Sequence, residues 1–481
     1  MLNPLTHRAR LFFSLVIVLG LVLVMEPTWV LSAGAAGGSK ARQSFLPCNG
    51  PFKKKSPSAK ALRAALTAHA LWLDEEAHQN ARAANLCHAD LKKRPLSGAT
   101  LERVNLEGAI LTQTDLSQAN LIQASLAGAE LSGATLTETN LSGVDARYAR
   151  LARVRADRAI GNEAALFNAV LAGGRFRESI FEDAHFDGAD LQGSDWSEAD
   201  LSDASFYGAN LEKAVLTGAD LMGADLRRAN LTGASLHHAT LEGALLDGAR
   251  LVHARLIQVD LEGAFLDGAD VSDARLQDAI LRGADLRYSR LDRVDLGEAD
   301  LEAANLERAR MVKAMLPGAN LAMSVLYRTV LTQADLRGAR LTRAVMILAR
   351  GSGANFSKAD LTEIHAPHAV LTGARFNEAK LESANFVSAD LSGAHMLHAD
   401  LTRANLQDAR LRGALLSGAD LSGARLDGAD LRQADLRGAR LASAMGLVQA
   451  QLDAACVDPK TELPPDFKRP PPCRNGGKKP H

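Results

Sequence analysis

The stretch LSDASFYGANLEKAVLTGADLMGADLRRAN, residues 201–230, repeats one pattern every five residues. Leu stands at 201, 211, 216, 221 and 226, Phe206 fills the remaining place, and Ala lies two residues before each of them. Outward from this stretch the register runs from Leu86 to Leu441, 72 positions without an insertion and about three quarters of the chain. Five fits neither regular element. On an α-helix five residues advance about 500°, so successive Leu side chains circle the axis. On a straight strand an odd step sends them to opposite faces. The backbone must therefore turn once per repeat if all the Leu are to share one interior. Ala fits a narrow core beside Leu, and Gly two residues after Leu (Gly218, Gly223, Gly243, Gly423) suits a tight corner. The remaining positions carry Asp, Asn, Arg, Ser, Thr and Glu, and face water.

This pattern resembles the pentapeptide-repeat family over residues 86–445. The resemblance implies an all-β solenoid, a right-handed four-sided β-helix with one pentapeptide per side and twenty residues per coil. About eighteen coils at the strand spacing of ~4.8 Å give a rod roughly 85 Å long. Each coil contacts only its neighbours, so the two ends need covers.

Composition agrees with a thin core: 47% apolar residues but only 4% aromatic. The net charge of −1 sets up no global field toward nucleic acid or acidic membranes.

At the N-terminus, His7, Arg8 and Arg10 precede the apolar run Leu11–Met25, and Ala33-Gly34-Ala35 offers a cleavage site. Residues 1–35 are read as a signal peptide of an exported, periplasmic or extracellular protein. The alternative is a membrane anchor formed by residues 11–31, although Glu26 and Pro27 interrupt it. Residues 36–57 read as a flexible basic linker. A helix is expected over 58–80, with Ser58 as its N-cap and Leu62, Ala65, Leu66, His69, Trp72 and Leu73 on one stripe. His69 is read as a core or capping histidine. Similar segments precede the coils of family members, which implies an N-terminal cap. The stretch Gly446–Asp453 with Thr461–Pro464 resembles the family's terminal helix and loop, implying a C-terminal cap over 446–465. Residues 466–481 read as a disordered, basic, proline-rich tail.

The four cysteines lie at the ends of the repeat. In an exported chain an even count suggests disulfides, Cys48 with Cys87 and Cys456 with Cys473; free thiols are the expectation for a cytosolic chain. Their spacing does not match a zinc site.

Two segments depart from the rule. In Val144–Arg177 the Leu places become Ala146, Ala156 and Gly161, while Arg147, Arg150, Arg153, Arg155 and Arg158 crowd together. This reads either as a shallow, poorly filled coil with a solvated charged face, or as a basic patch for phosphate or carboxylate groups of envelope polymers. The second departure is apolar and outward-facing: Val325 beside Val345, Tyr327 beside Ile347, then Leu348, with Met315 and Val330 on adjoining sides. Contiguous exposed apolar side chains mark a contact surface; β-branched ladders on a β-surface are the plainer explanation. Leu245 beside Phe265 is a smaller instance.

Stacked carboxylates such as Asp200 with Asp220, or Asp400 with Asp420, are expected on an open surface with no means of excluding water. No nucleophile elbow, phosphate loop or HExxH helix occurs. The sequence therefore reads as a non-enzymatic structural and protein-interaction scaffold of the cell envelope, without cofactor or metal, whose partner is protein or envelope polymer and not nucleic acid. The family resemblance implies an alternative, a cytoplasmic DNA mimic that binds topoisomerases, a role that needs a strongly acidic rod. A membrane-anchored binding module for anionic envelope polymers is a further alternative.

Overall fold

A computed structural model describes residues 48–74 and 83–471. The chain divides into two units at residue 45, and the described residues all belong to the second. The proposed signal or anchor therefore lies outside the described residues. Among those described, no helix is long and apolar enough to cross a membrane.

Each pentapeptide makes one bonded corner. In the unit around Leu221 the Ala224 amide donates to the Leu221 carbonyl at 3.0 Å, closing a four-residue turn. The third residue of that turn, Gly223, has φ 67°. A single positive φ at that place defines a type II turn. The backbone needs the left-handed region at every corner from His88 to Gly438, yet Tyr148 (φ 58°) and Leu348 (φ 57°) occupy it as readily as Gly. The closed turn and the coils on either side hold these residues there.

Between corners, one residue per side pairs in parallel with the residue twenty later. Asn85 with Asn105, Asp90 with Ile110, Pro95 with Asp115 and Thr100 with Asn120 begin four ladders, which run to Arg425 with Met445. Four ladders make four sides. The Leu and Ala of each repeat point inward and are buried, as Ala219 and Leu221 show. The residue before Leu has a structural task that the sequence reading left to solvent. The Asp200 carboxylate accepts from the Ser202 amide at 3.1 Å and from its hydroxyl at 2.7 Å. Asp and Asn there brace the following corner as Asx turns.

The coil holding Ala156 and Gly161 is not poorly filled. A Cβ placed on Gly161 would sit 2.1 Å from the Phe181 ring, which lies one coil later and occupies that space. Phe176 follows Ala156 by the same interval and is buried. Its ring stacks on Trp196 at 4.0 Å, and the Trp196 indole N–H donates to the Ser194 hydroxyl at 2.8 Å. Volume lost in one coil is returned by the next, so density is conserved over pairs of coils.

Helix α1 spans Ala59–Leu73 and buries Leu62 and His69. The Ser58 hydroxyl accepts from the Ala61 amide at 3.2 Å. His69 Nδ1 accepts from the Ala84 amide at 3.1 Å, so Nε2 carries the proton and donates to the Glu102 carbonyl at 2.8 Å. Burial of this neutral ring holds its pKa below the ordinary histidine value. Residues 48–57, read from sequence as the end of a flexible linker, are tied to the first coil. The Lys54 amide donates to the His88 carbonyl, the Asp90 amide to the Lys55 carbonyl, and Cys48 is bridged to Cys87.

At the other end helix α2, Gln449–Asp453, interrupts the ladders. The chain then rejoins with Asp435 opposite Cys456 and Arg440 opposite Glu462, offsets of 21 and 22 in place of 20. The Gln451 side-chain amide donates to the Ala429 carbonyl at 2.8 Å, the acceptor that the interrupted ladder leaves open, and to the Leu426 carbonyl at 2.9 Å, which also accepts from the Ala429 amide in its own corner. Residues 466–471, expected to be disordered, are engaged: Phe467 packs on the core and Arg469 donates to the Thr461 carbonyl at 2.8 Å.

Candidate interaction surfaces

The five arginines of the first departure do not form a free cationic patch. The Arg147 guanidinium grips Asp145 at 2.7 Å, Arg150 reaches Glu130 at 3.0 Å, and Arg158 reaches Glu138 at 2.7 Å. The last two partners lie one coil earlier, where twenty residues of sequence separate groups that touch. Hydrogen bonds from Gln118 and then Arg158 hold the Glu138 carboxyl below the usual range. Asp157, the one acid among the arginines, is taken by Arg175. Among the described residues, only Arg153 and Arg155 of the five have no carboxylate partner.

Within the apolar group, the ladders place Val325 beside Val345, with Tyr327, Ile347 and Leu348 on the corner leading to the next side, where Val330 sits between Arg310 and Arg350. Met315 is elsewhere. It pairs with Asp295 and Asp335, half a coil from Val325, and faces the opposite side. Its 45% exposure belongs to a different surface. The five-residue arithmetic contained this separation, because Met315 and Val325 differ by two sides.

Charge is banded along the stack, a pattern that the net value conceals. Residues 308–359 carry nine Lys and Arg against the single carboxylate of Asp335. Arg308, Arg310, Arg337, Arg343 and Lys358 have carboxylate partners, Arg310 through Asp292, whose side chain is only 7% exposed. Among the described residues, Lys313, Arg328, Arg340 and Arg350 have none. The Arg328 guanidinium lies 5.1 Å from the centre of the Tyr327 ring. Where Ala322 stands in place of a larger corner residue, a shallow notch of about 310 Å³ opens between Glu302, Arg340, Arg343 and Glu363.

Residues 178–212 are the reverse: ten carboxylates and no Lys or Arg. Only Asp195, held by Arg177 at 2.6 Å, and Glu212, beside Lys213 at 2.9 Å, meet a cation among the described residues. Burial works against ionisation of Asp195, but bonds from Ser197 and Arg177 keep its carboxyl below the usual range. A running sum of charge along the chain would have revealed both bands.

The stacked acids of the sequence reading are occupied as corner braces. Asp200 bonds Ser202, Asp220 bonds the Met222 amide, Asp400 bonds Thr402 and Asp420 bonds Ser422. Asp247 differs: burial, with Asp267 adding a like charge, pushes its carboxyl up. Cys48, Cys87 and His88 converge at ligand distance, but the Cys48–Cys87 disulfide removes both thiolates as metal ligands. Cys456 is also disulfide-bonded, while Cys473 lies outside the described residues.

Comparison with known proteins follows the same repeat. No curated protein matches the chain in sequence. Among solved structures, HetL, a pentapeptide repeat protein involved in heterocyst differentiation regulation from the cyanobacterium Nostoc sp. strain PCC 7120, is 38% identical, covering 45% of this chain and 88% of its own, with a TM-score of 0.30. A pentapeptide repeat protein from the Arabidopsis thaliana thylakoid lumen is 29% identical over 21% of this chain and 66% of its own, with a TM-score of 0.16. The plasmid-mediated fluoroquinolone resistance protein QnrB1 is 18% identical over 51% of this chain and 89% of its own, with a TM-score of 0.19. The family profile "Pentapeptide repeats (8 copies)" matches successive segments between residues 82 and 444. With its five-residue register, four parallel ladders and this match over most of its length, the chain belongs to the pentapeptide repeat family, whose fold is a right-handed β-helix.

Proposed function

We propose that this protein is an exported, non-enzymatic scaffold of the cell envelope, an eighteen-coil solenoid covered at both ends, that works by presenting its sides to a macromolecular partner. The observation that carries this reading is the outward surface at Val325, Tyr327, Val330, Val345, Ile347 and Leu348. Apolar side chains, Leu348 exposed and the other five half-buried, take places there that elsewhere hold Asp, Asn or Arg, beside cations without carboxylate partners among the described residues. A surface of this composition is stabilised by being covered. Export is supported by the basic-then-apolar N-terminus and by the disulfide that ties Cys48 to the first coil, a bond suited to an oxidising compartment.

Cell fractionation with N-terminal sequencing tests the localisation. A soluble envelope form beginning near Ala36 is the expected result, and an intact membrane-bound chain would make the scaffold an anchored one. An intact cytosolic chain would overturn export and favour the DNA-mimic reading, for which the acidic band at 178–212 is the relevant surface.

A further inference from the structure

The two charge bands share a side of the solenoid. On the ladder that carries Val325 and Val345, the corresponding residues of the acidic band are Ser205 and His185, seven coils earlier, or about 34 Å at the strand spacing. Both edges of this side are charged in the same sense within each band. At the basic end Arg343 lies on one edge and Arg328 on the other; at the acidic end Asp183 and Asp203 lie on the first edge and Asp187 on the second. The midpoint between 205 and 325, and equally between 185 and 345, is residue 265. That residue is Phe265, on the same ladder and 46% exposed.

We propose that this side pairs with a second copy of the chain, antiparallel, about a two-fold axis at Phe265. The inference rests on the reading of this side as an interaction surface and names its partner. Two-fold symmetry about an axis lying in the interface and crossing the stack reverses the coil order while keeping each edge opposite its own counterpart. Asp183 of one copy then faces Arg343 of the other with Asp203 one coil away, Asp187 lies one coil from Arg328, and both contacts form twice. Phe265 meets Phe265 of the second copy, and Val325 and Val345 are covered. Asp183, Asp187 and Asp203, which have no cation partner among the described residues, are brought beside Arg328, which has no carboxylate there, and Arg343, which Glu363 holds in its own chain. Self-repulsion within each band, a cost to the isolated chain, is relieved by the pairing.

The test is sedimentation equilibrium of the full chain at low and high salt, with reciprocal charge reversal. The wild-type chain is expected to be dimeric, with roughly tenfold weaker pairing at high salt, because exposed charges are screened. Arg328→Glu with Arg343→Glu makes both contacts repulsive, and so does Asp183→Arg with Asp187→Arg and Asp203→Arg (Arg stands natively at the place equivalent to 187, as in Arg227); each variant alone is expected to be monomeric. Their equimolar mixture is expected to pair, since one contact is then the native one and the other its mirror. Glu and Arg both occur natively at equivalent corners (Glu138, Arg153), so the substitutions suit the backbone. A wild-type chain that is monomeric at low salt, or a mixture that stays monomeric, would overturn the proposal. As a readout independent of charge, Phe265→Cys with a short bifunctional thiol cross-linker should give a covalent dimer. Failure to cross-link in a self-associating chain would overturn the antiparallel arrangement. A monomeric chain whose Tyr327 side still engages another macromolecule would end self-pairing while leaving the surface itself in place.

Discussion

The two stretches that break the five-residue rule break it in opposite directions. Between 144 and 206 the irregularity is internal, and the neighbouring coil cancels it. Phe181 fills the space above Gly161, and Glu130 and Glu138 neutralise Arg150 and Arg158. Between 308 and 359 the interior departures, such as Gly351 with Leu371 of the next coil in its space, are again absorbed inside, and the distinctive irregularity is external. Neighbouring coils cancel only part of it: Arg310, Arg343 and Lys358 find carboxylates one coil away, but Val325 stacks on Val345, and among the described residues Lys313, Arg328, Arg340 and Arg350 find none. In a solenoid the relevant neighbour is twenty residues away. A departure answered there belongs to the fold, and one left unanswered is available to a partner.

The contrast is sharpest in the core of the first stretch. Phe181→Ala should cost about 3–5 kcal/mol, read by thermal or denaturant unfolding. Gly161→Leu should also destabilise, by overpacking against the same ring. Combining the two should recover part of the loss; additive losses would mean that the two coils are not exchanging volume. In the second stretch the strongest internal dependence is on Asp292, which accepts from the Val312 amide at 2.9 Å and pairs with Arg310 at 2.7 Å. Asp292→Ala should cost about 1 kcal/mol or more in the same assay, since it removes the partner of a part-buried amide. It also frees one more cation in the basic band.

The N-terminal helix provides a local, pH-dependent case. The folded pKa of His69 is depressed by burial, so the unfolded segment binds more protons around that pH. Its contribution is complete above the unfolded value of about 6.5 and is lost as pH falls below it, because protonation removes the Nδ1 acceptor for Ala84. Hydrogen exchange in Ala59–Leu73 should accelerate as pH falls through this window, after correction for the intrinsic rate, and His69→Gln should flatten the response. A response unchanged by that substitution would assign it to other groups. The smallest stability effect is expected at the outward surface. Tyr327→Glu with Ile347→Glu should leave unfolding within about 0.5 kcal/mol of wild type while abolishing association. Association at the wild-type level would make these residues a ladder and nothing more.

The sequence carried the fold so clearly because every fifth residue reports the same interior. It carried the ends in part. Ser58 and His69 were readable, whereas the offsets of 21 and 22 that carry the chain past α2 depend on Gln451 reaching carbonyls 22 and 25 residues earlier. The surfaces were harder to read for one physical reason: charge was judged among sequence neighbours. Of the arginines crowded from 147 to 158, Arg150 and Arg158 are neutralised across coils and Arg147 by Asp145 two residues away. The bands at 178–212 and 308–359 look ordinary locally and stand out only when stacked. The placement of Met315 failed the same way, since sides and not residues separate it from Val325.

The most direct measurement puts one photo-reactive side chain at Tyr148 and another at Tyr327, two tyrosines at corners of the two stretches, and compares their cross-linked products in cells. A discrete adduct from position 327 with none from 148 is the result predicted for a compensated stretch and an uncompensated one. Equal adducts from both positions, or an adduct from 148 alone, would contradict the distinction on which the functional reading stands.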